Sequence, residues 1–458
     1  MRPAMTSDMM DVMLGHRHAP ARRARTDRAE TRTPRGPSAV LAVALLVALT
    51  LWGAAPAALA APEDENAPPA HAYSAQGLEI EGGASLAQAP SVEPGIHRDS
   101  FALAGEEPSQ EGTVKYYRVA VQDGQRVHAA ATIAAPPVPG GLPEERSPLA
   151  VNVSFLTAGG DACDGERVTD IGESHTGDGP ITTAAVSEVL GPDGCTGSEL
   201  YVRVAREGTR AAGAALPVEV QIAIQPAGIG GGAPSVEEPL EEDAAAPTAP
   251  ESSEPLELGR SFQGAAEVEP GSYVIELVPG ETGLVAIDVA EGQRLRWRTE
   301  ITSVPEEQPG AIALRAFDPA RSQVTVGGGS WSPGSAGTVS GGGMRAPVDI
   351  GNRGSEHDSV RSAWLPGTHV VQLQRLQRAS GADPAGEAPL TLILTLELEG
   401  EAAEDAAEGT VLELGQSGVG LWSAESPVAR TVLLIAAAAL GLFAVVLAAA
   451  GVLVLRRR

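Results

Sequence analysis

The chain has 458 residues, of which 43% are hydrophobic and 3% aromatic, and its formal net charge is −27 at pH 7. The length exceeds that of one typical domain, and the hydrophobic content is too high for a fully disordered chain, so domains joined by linkers are expected. A protein this acidic repels phosphate backbones, which argues against nucleic acid as a partner.

Residues 1–60 have the order of features that is typical of a secretory signal peptide. An arginine-rich region precedes an apolar run at 39–53, and an A-x-A cleavage site, Ala58-Leu59-Ala60, follows it. This pattern predicts export and cleavage after Ala60, which leaves 61–76 as a disordered mature N-terminus. The alternative is an uncleaved anchor helix, but the apolar run is shorter than the ~20 residues that a membrane helix needs.

The C-terminal region contains a second, longer apolar segment. Residues 431–455 carry no charged side chain, and at ~1.5 Å per residue they would extend roughly 37 Å, enough to cross a ~30 Å hydrocarbon core. The arginines at 456–458 follow directly, and the positive-inside rule places them in the cytoplasm. The sequence therefore predicts a single-pass protein of the cell membrane whose ectodomain is extracellular.

Two acidic stretches rich in Pro and Ala are predicted to be linkers. The first, at 229–255, divides the exported region, and the second, at 401–430, precedes the membrane segment. An extended chain of this kind rises ~3.1 Å per residue, so 233–255 would reach at most roughly 70 Å. The first linker is thus expected to separate two domains without fixing the angle between them.

The regions on either side of the first linker, 77–228 and 256–400, are copies of one another. Blocks of similar sequence recur in the same order, which indicates a tandem duplication. The matched pairs are GLEIEGG (77–83) with LELGRS (256–261), VEPG (92–95) with VEPG (268–271), YRVAVQDGQRVHAAATI (117–133) with VAIDVAEGQRLRWRTEI (285–301), LYVRV (200–204) with HVVQL (369–373), and LPVEVQIAI (216–224) with APLTLILTL (388–396).

These blocks alternate apolar with polar or small residues at the period of two that is typical of β-strands. Val218, Val220 and Ile222, for example, occupy every second position of one block. The blocks at 117–133 and 285–301 are each predicted to form a β-hairpin. The predicted fold is therefore all-β, with two tandem antiparallel β-sandwiches of jelly-roll-like form.

The stretch LPGTHVVQL at 365–373 differs by one residue from LPxTG, a signal for covalent attachment to a cell wall. His369 stands where that signal requires glycine. The stretch also matches the predicted strand at 200–204, and a further strand, a linker and the membrane segment follow it. We therefore interpret it as the start of a strand in the second domain.

Cys163 and Cys195 are the only cysteines, and both lie in the exported part of the chain. Exported proteins form disulfides readily, so a Cys163–Cys195 disulfide is predicted. Around Cys163 the carboxylates of the loop are candidate calcium ligands, because calcium prefers oxygen donors. Their spacing does not match an EF-hand, and solvated acidic side chains are the alternative interpretation. The candidates are Asp161, Asp164, Glu166 and Asp170.

The sequence contains none of the motifs GxSxG, HExxH or GxxxxGK[ST] that would indicate hydrolase or nucleotide chemistry. Its eight histidines are scattered. His128, His175 and His357 have no Ser or Cys partner at a recognisable spacing, so we interpret them as solvated surface residues. The sequence therefore predicts no catalytic residues and no cofactor, and the protein is expected not to be an enzyme.

The turn EGQRL at 291–295, the stretch FDPAR at 317–321 and the late strand PGTHVVQL resemble the β-sandwich domains called pre-peptidase C-terminal domains. With KYYRVAV, DIGNR and the final RRR, the whole chain is similar to a group of actinobacterial membrane-anchored proteins. Similar domains follow the von Willebrand type A domain of secreted actinobacterial proteins. The resemblance implies structural β-sandwiches without catalytic residues, and it points to an exported protein with a type A domain as a partner.

Two functions remain open from the sequence. The first is a non-catalytic cell-envelope protein that presents its tandem sandwiches to another exported or membrane protein, or to a polymer. The second is a carbohydrate-binding module or a hydrolase whose site is built from loops. Sugar binding uses aromatic platforms, so an exposed cluster of Trp331 and Trp364 would favour a binding module, whereas Trp297 is expected in the core.

Overall fold

The structure is a computed structural model that describes residues 72–102, 113–137, 148–165, 172–175, 179–192, 194–211, 213–230, 232–241, 247, 252–305, 310–327, 329–376, 388–403 and 411–415. Within these ranges no helix is long and apolar enough to cross a membrane. The predicted signal peptide and membrane helix lie outside the described residues. Both copies of the repeat belong to one compact unit.

The first copy consists of short and medium strands with a single 3-10 helix at Leu86–Gln88 among its described residues. The strands are β1 (Leu78–Glu79), β2 (Ser91–Val92), β3 (Gly95–Phe101), β4 (Val114–Ala120), β5 (Arg126–Ile133), β6 (Leu149–Leu156), β7 (Gly172–His175), β8 (Ile181–Val186), β9 (Glu199–Gly208) and β10 (Leu216–Gln225).

The second copy is built in the same way, with a 3-10 helix at Ile350–Gly354 and one short helix, α1, at Asp358–Arg361. Its strands are β11 (Glu254–Pro255), β12 (Ala266–Glu267), β13 (Gly271–Leu277), β14 (Thr282–Val289), β15 (Arg294–Ser303), β16 (Ala311–Phe317), β17 (Gln323–Val324), β18 (Ser330–Trp331), β19 (Val339–Gly343), β20 (Gly367–Leu376) and β21 (Leu390–Glu399).

Each copy folds into two facing sheets. In the first copy, sheet I has the strand order β1-β3-β10-β5-β8 and sheet II the order β2-β4-β9-β6-β7; in the second, sheet III has the order β11-β13-β21-β15-β19 and sheet IV the order β12-β14-β20-β16-β17, with β18 also paired to β16. The short strands β1, β2, β11 and β12 pair in parallel, and the other pairings are antiparallel. Because the two orders are identical, strand for strand, the duplication and the jelly-roll form are confirmed.

The predicted hairpins at 117–133 and 285–301 are wrong. β4 belongs to sheet II and β5 to sheet I, and β14 and β15 are divided in the same way, so the chain crosses from one sheet to the other at each turn. The crossing needs left-handed backbone at Gly124 and Gly292, where φ is 83° and 85°. A glutamine side chain then closes each turn: Gln125 Oε1 accepts the Gln122 N–H at 2.8 Å, and Gln293 Oε1 accepts the Ala290 N–H at 3.1 Å.

A hydrophobic core fills each sandwich. In the first, the alternate residues Val218, Val220 and Ile222 of β10 face sheet II and are buried. In the second, Leu392 and Leu394 of β21 face sheet IV in the same way. Alternation of apolar residues therefore determines which face of each strand is inward, as the sequence predicted.

The outer face of sheet I is also buried along β5 and β10, because the second sandwich covers these strands, whereas Arg98 and Ser100 of β3 stay exposed. The outward residues of β10 include Glu219, Gln221 and Gln225, none more than 5% exposed, and small residues such as Ala130 of β5 allow close approach. On the second sandwich, sheet IV buries the outward side chains of Leu284 and Val370. We call this contact region the junction.

Segments outside the strands hold the junction together. Ser74 N–H donates to Arg260 O (2.8 Å), which attaches the segment 72–76 to the second sandwich. Beyond the second sandwich, Glu413 exchanges two backbone hydrogen bonds with Ile224 of β10, at 2.7 and 3.1 Å. Residues 72–76 and 411–415 therefore pack on the sandwiches, whereas composition predicted a disordered N-terminus at 61–76 and a linker at 401–430; residues 61–71, 404–410 and 416–430 lie outside the described residues.

The first linker does not hold the sandwiches apart. Ser235 N–H donates to Asn352 Oδ1 (2.8 Å) and Leu240 N–H to Arg345 O (2.8 Å), so the described start of the linker lies on the second sandwich. Its last two residues form β11, which pairs with β13. The spacer role expected from sequence is therefore wrong for these residues, because composition does not reveal contacts that fold the segment back.

Candidate functional site

The junction contains a buried cluster of polar and aromatic side chains. His128 of β5 stacks on Trp364, with ring centroids 5.6 Å apart, and its Nε2 lies 3.0 Å from Gln225 Oε1. The guanidinium of Arg353 lies over the same tryptophan, 4.8 Å from the ring centroid, and donates to Gln225 Oε1. Burial, with the charge of Arg353, lowers the pKa of His128 to about 3. The expectation that His128 is a solvated surface residue is wrong.

The turn that follows β16 inserts into the first sandwich. Gln221 Nε2 donates to Pro319 O at 2.7 Å, and Arg321 pairs with Glu219 at 2.5 Å. Asp318 shapes this turn by accepting the Ser322 N–H at 2.8 Å. Burial raises the pKa of Asp318 to about 7. The stretch FDPAR therefore has a structural role: it forms the turn that packs against the first sandwich.

The tryptophans do not form the exposed platform that would favour sugar binding. Trp297 is fully buried, as expected, and its Nε1 donates to Val326 O at 3.1 Å. Trp331 stacks on Trp297 with ring centroids 5.7 Å apart, whereas Trp364 is buried in the junction. Trp331 and Trp364 therefore belong to separate clusters, and each supports packing.

Cys163 and Cys195 form the predicted disulfide, with Cα atoms 5.9 Å apart. The disulfide joins the loop after β6 to the loop before β9, and both sulfur-bearing side chains lie against the first core.

Two of the four calcium candidates are described. The carboxylate of Asp164 accepts the backbone N–H of Phe155 at 2.7 Å, and burial raises its pKa. Asp161 is exposed. Glu166 and Asp170 lie outside the described residues. In the part of the chain that the structure describes, no three metal-binding side chains come together.

The remaining histidines occupy separate places. His175 ends β7. His357 precedes α1, is partly exposed and lies 3.5 Å from Glu238 of the first linker. His369, which replaces the glycine of a sorting signal, is fully buried in β20, and its Nδ1 lies 2.9 Å from Gly367 O. Burial lowers the pKa of His369 to about 4. The stretch at 365–373 is thus the start of a central strand, as interpreted from sequence.

A ladder of opposite charges runs along β15 and β21 on the outer face of sheet III. Arg294 donates to both carboxylate oxygens of Glu399 at 2.8 Å, and Arg296 donates to the same carboxylate at 3.0 Å. Next in line, Arg298 donates to Glu300 at 2.8 Å. The hydrogen bond from Arg294 lowers the pKa of Glu399. The arginines and glutamates of this ladder pair with one another, and they keep the sheet face polar.

The outer face of sheet II has a different composition. On β4 and β9, Tyr116 stands opposite Arg203, and Arg118 stands opposite Tyr201. All four side chains are partly exposed. This arrangement was not predicted, although the alternate outward positions of KYYRVA and LYVRV carry its signal. We call these four residues the Tyr–Arg patch.

Comparison with family models and with curated proteins gave no match. Among solved structures, the tandem CBM22-1–CBM22-2 domain of Xyn10C from Paenibacillus barcinonensis is similar at 13% identity and a TM-score of 0.18, covering 73% of this chain and 100% of that one. The ANXUR2 extracellular domain from Arabidopsis thaliana is similar at 8% identity and a TM-score of 0.15, covering 66% and 88%. At such low TM-scores, neither likeness carries an argument about function.

Proposed function

We propose that this protein is a non-catalytic, membrane-anchored protein of the cell envelope that binds another exported protein through its tandem β-sandwiches. The sequence pattern supports export by the signal peptide at 1–60 and anchoring by the helix at 431–455. The basic residues at 456–458 then remain in the cytoplasm. The ectodomain faces outward, and the resemblance noted above favours a partner that carries a von Willebrand type A domain.

The observation that carries this proposal is the junction. Glu219, Gln221 and Gln225 are polar residues on an outward sheet face, yet contacts with the second sandwich bury them. A buried polar contact with matched partners specifies one geometry. The two sandwiches therefore present their remaining outer surfaces as a single preorganised body, which lowers the entropic cost of binding a partner.

Three measurements test export and location. N-terminal sequencing of the membrane-bound protein should begin at Ala61, and alkaline extraction should leave the full chain in the membrane. Protease added to intact cells should digest the ectodomain. Recovery of the 39–53 run in the mature protein would contradict cleavage, and extraction of the intact chain would contradict anchoring.

Affinity capture from membranes in mild detergent tests the binding role. The full chain should enrich an exported protein at a fixed ratio, and a control chain denatured and refolded without its disulfide should enrich less. The partner should contain a type A domain. Enrichment of a polysaccharide without protein would favour the carbohydrate-binding alternative, and no enrichment of either would contradict a binding role.

A further inference from the structure

The outer faces of the four sheets differ in what covers them. The central strands of sheets I and IV are buried at the junction, and the Arg–Glu ladder occupies the central strands β15 and β21 on the face of sheet III. Over the described residues, the face of sheet II has neither kind of cover, and its outward side chains are partly exposed at Tyr116, Arg118, Tyr201 and Arg203. This face is therefore the open one.

The centre of that face is the Tyr–Arg patch. Ser154 of β6 stands beside Arg203, and Leu156 beside Tyr201, so the patch continues onto a third strand. Among the described residues, neither phenol hydroxyl has a hydrogen-bond partner, and Arg203 makes no ion pair. Arg118 has one ion pair, at 3.6 Å to Glu199, with both side chains well exposed. Its Nε is buried without a partner.

Tyrosine and arginine are, with tryptophan, the residues that most often carry binding energy at protein interfaces, especially near the centre of the contact. They supply wide contact area and several hydrogen-bond donors. The three long strands β4, β9 and β6, spaced ~4.8 Å apart and about eight residues long at ~3.3 Å per residue, give a face of roughly 400 Å². This is about half of the ~800 Å² per partner of a standard protein interface, and the short strands β2 and β7 with the flanking loops would supply the rest.

The charge of the patch indicates what it would bind. The chain has a net charge of −27, yet Arg118 and Arg203 stand at the centre of this face. The neighbouring carboxylate of Glu199 lies at the rim. That of Asp164 accepts the Phe155 N–H and also feels the charge of Arg203, which acts against the rise of its pKa by burial, but the two make no ion pair. An incoming carboxylate could therefore form a bidentate pair with Arg203. Repulsion from distant acidic groups is screened beyond ~8 Å at physiological salt.

We propose that the outer face of sheet II is the surface that binds the exported partner, and that this partner is a protein presenting carboxylate side chains to Arg118 and Arg203. Apolar groups of the partner pack on Tyr116 and Tyr201. This inference rests on the proposed binding function and names its surface.

The first experiment measures binding of a glutamate-rich peptide to the full chain in detergent, at low and at physiological salt. Arg203→Glu should weaken binding about tenfold or more, since it reverses the charge at the centre of the patch. Arg98→Glu is the matched control: it reverses an exposed arginine on β3 of the same sandwich and should change binding less than about twofold. Unchanged thermal midpoints show that both variants fold.

Three outcomes would overturn the proposal. Equal losses in the two variants would mean that overall charge, and no particular face, governs binding. Binding of polygalacturonate but not of the peptide would assign the patch to an acidic glycan. No binding of the peptide at millimolar concentration would contradict the proposal that the patch binds carboxylates.

Photo-cross-linking in intact cells separates failure of the surface from failure of the function. Benzoylphenylalanine replaces Tyr201 in one variant and Leu78, which is 54% exposed at the β1 edge, in another. A cross-link to the same exported protein from position 201 alone is expected. Cross-links from position 78 alone would contradict the proposal that sheet II binds the partner but would leave the proposed binding function intact. Cross-links from neither position would count against both the surface and the function.

Discussion

Glu219 and Arg321 form an ion pair across the junction, with 2.5 Å between Glu219 Oε1 and Arg321 Nη2 and side chains only 0% and 3% exposed. Glu219 lies on β10 of the first sandwich, and Arg321 lies in the turn after β16 of the second. The other carboxylate oxygen accepts the Gln76 N–H at 2.6 Å. One buried carboxylate therefore fixes both sandwiches and the N-terminal segment.

Removing one member of this pair should strongly destabilise the protein. Glu219→Ala leaves the Arg321 guanidinium buried without its partner, which typically costs about 3–5 kcal/mol. Chemical denaturation should show this fall in the free energy of unfolding. The control is Glu79→Ala, which breaks an exposed pair with Arg98 and should cost less than about 1 kcal/mol. Similar small losses in both variants would contradict a structural role for the buried pair.

The strands and the duplication could be predicted because their cause is local. Val218, Val220 and Ile222 alternate along β10, and that period alone determines which face enters the core. Which strands pair with each other, in contrast, depends on residues far apart in the sequence. β5 pairs with β10, where Val127 stands opposite Ile224, nearly a hundred residues along the chain. The turn at Gly124 fits either a hairpin or a crossing, so sequence could not decide between them.

The junction could not be predicted for a related reason. Glu219, Gln221 and His128 are polar residues at outward positions, a pattern typical of a solvated sheet face. Only the presence of the second sandwich reverses their environment. The one signal in the sequence is the presence of small outward residues, such as Ala130 and Ala223, which permit a close contact.

His128 should make the stability of the protein depend on pH. Burial lowers its pKa to about 3, whereas the unfolded chain has a value of 6.5. The unfolded state therefore binds the proton more tightly, and the contribution of His128 is complete above pH 6.5 and is lost as the pH falls toward 3. The slope should be at most roughly 1.4 kcal/mol per pH unit in that window.

The measurement compares urea denaturation of the wild type and of His128→Gln at several pH values between 3 and 8. The difference between the two should shrink at acid pH, because glutamine does not titrate. Asp318, with a pKa raised to about 7, acts in the opposite sense, so only the difference between variants isolates His128. His357→Gln, at a partly exposed position, is the control, and an effect equal to that of His128→Gln would refute the assignment.

Loss of the disulfide should weaken the first sandwich. Cys163 and Cys195 are separated by 32 positions, and closing a loop of that length stabilises the folded state by about 3–4 kcal/mol in the chain-entropy model. The Cys163→Ser, Cys195→Ser double variant should lose stability by that order. Hydrogen exchange should rise in β6 and β9, next to the two cysteines, more than in β20 and β21. Free thiols in the unreduced, denatured wild type would show that the bond does not form.

Leu412 should hold the segment that follows the second sandwich against the junction. Its side chain is 7% exposed and packs with Ala223, Trp364 and Leu365 at the junction, whereas Leu414, two residues later, is 39% exposed. Leu412→Ala should lower the free energy of unfolding by about 2–3 kcal/mol, since it removes buried methyl groups and leaves a cavity. Leu414→Ala makes the same chemical change at an exposed position and should stay within about 0.5 kcal/mol of wild type.

The same pair of variants tests whether the segment is attached to the junction. Because Glu413 hydrogen-bonds to Ile224, detaching the segment should expose the amide of Ile224 to hydrogen exchange. Leu412→Ala should therefore accelerate exchange at Ile224 and at Glu413, and Leu414→Ala should not. Protease should also cleave near 411–415 faster in Leu412→Ala. Equal exchange and equal cleavage in the two variants would mean that Leu412 does not hold the segment against β10.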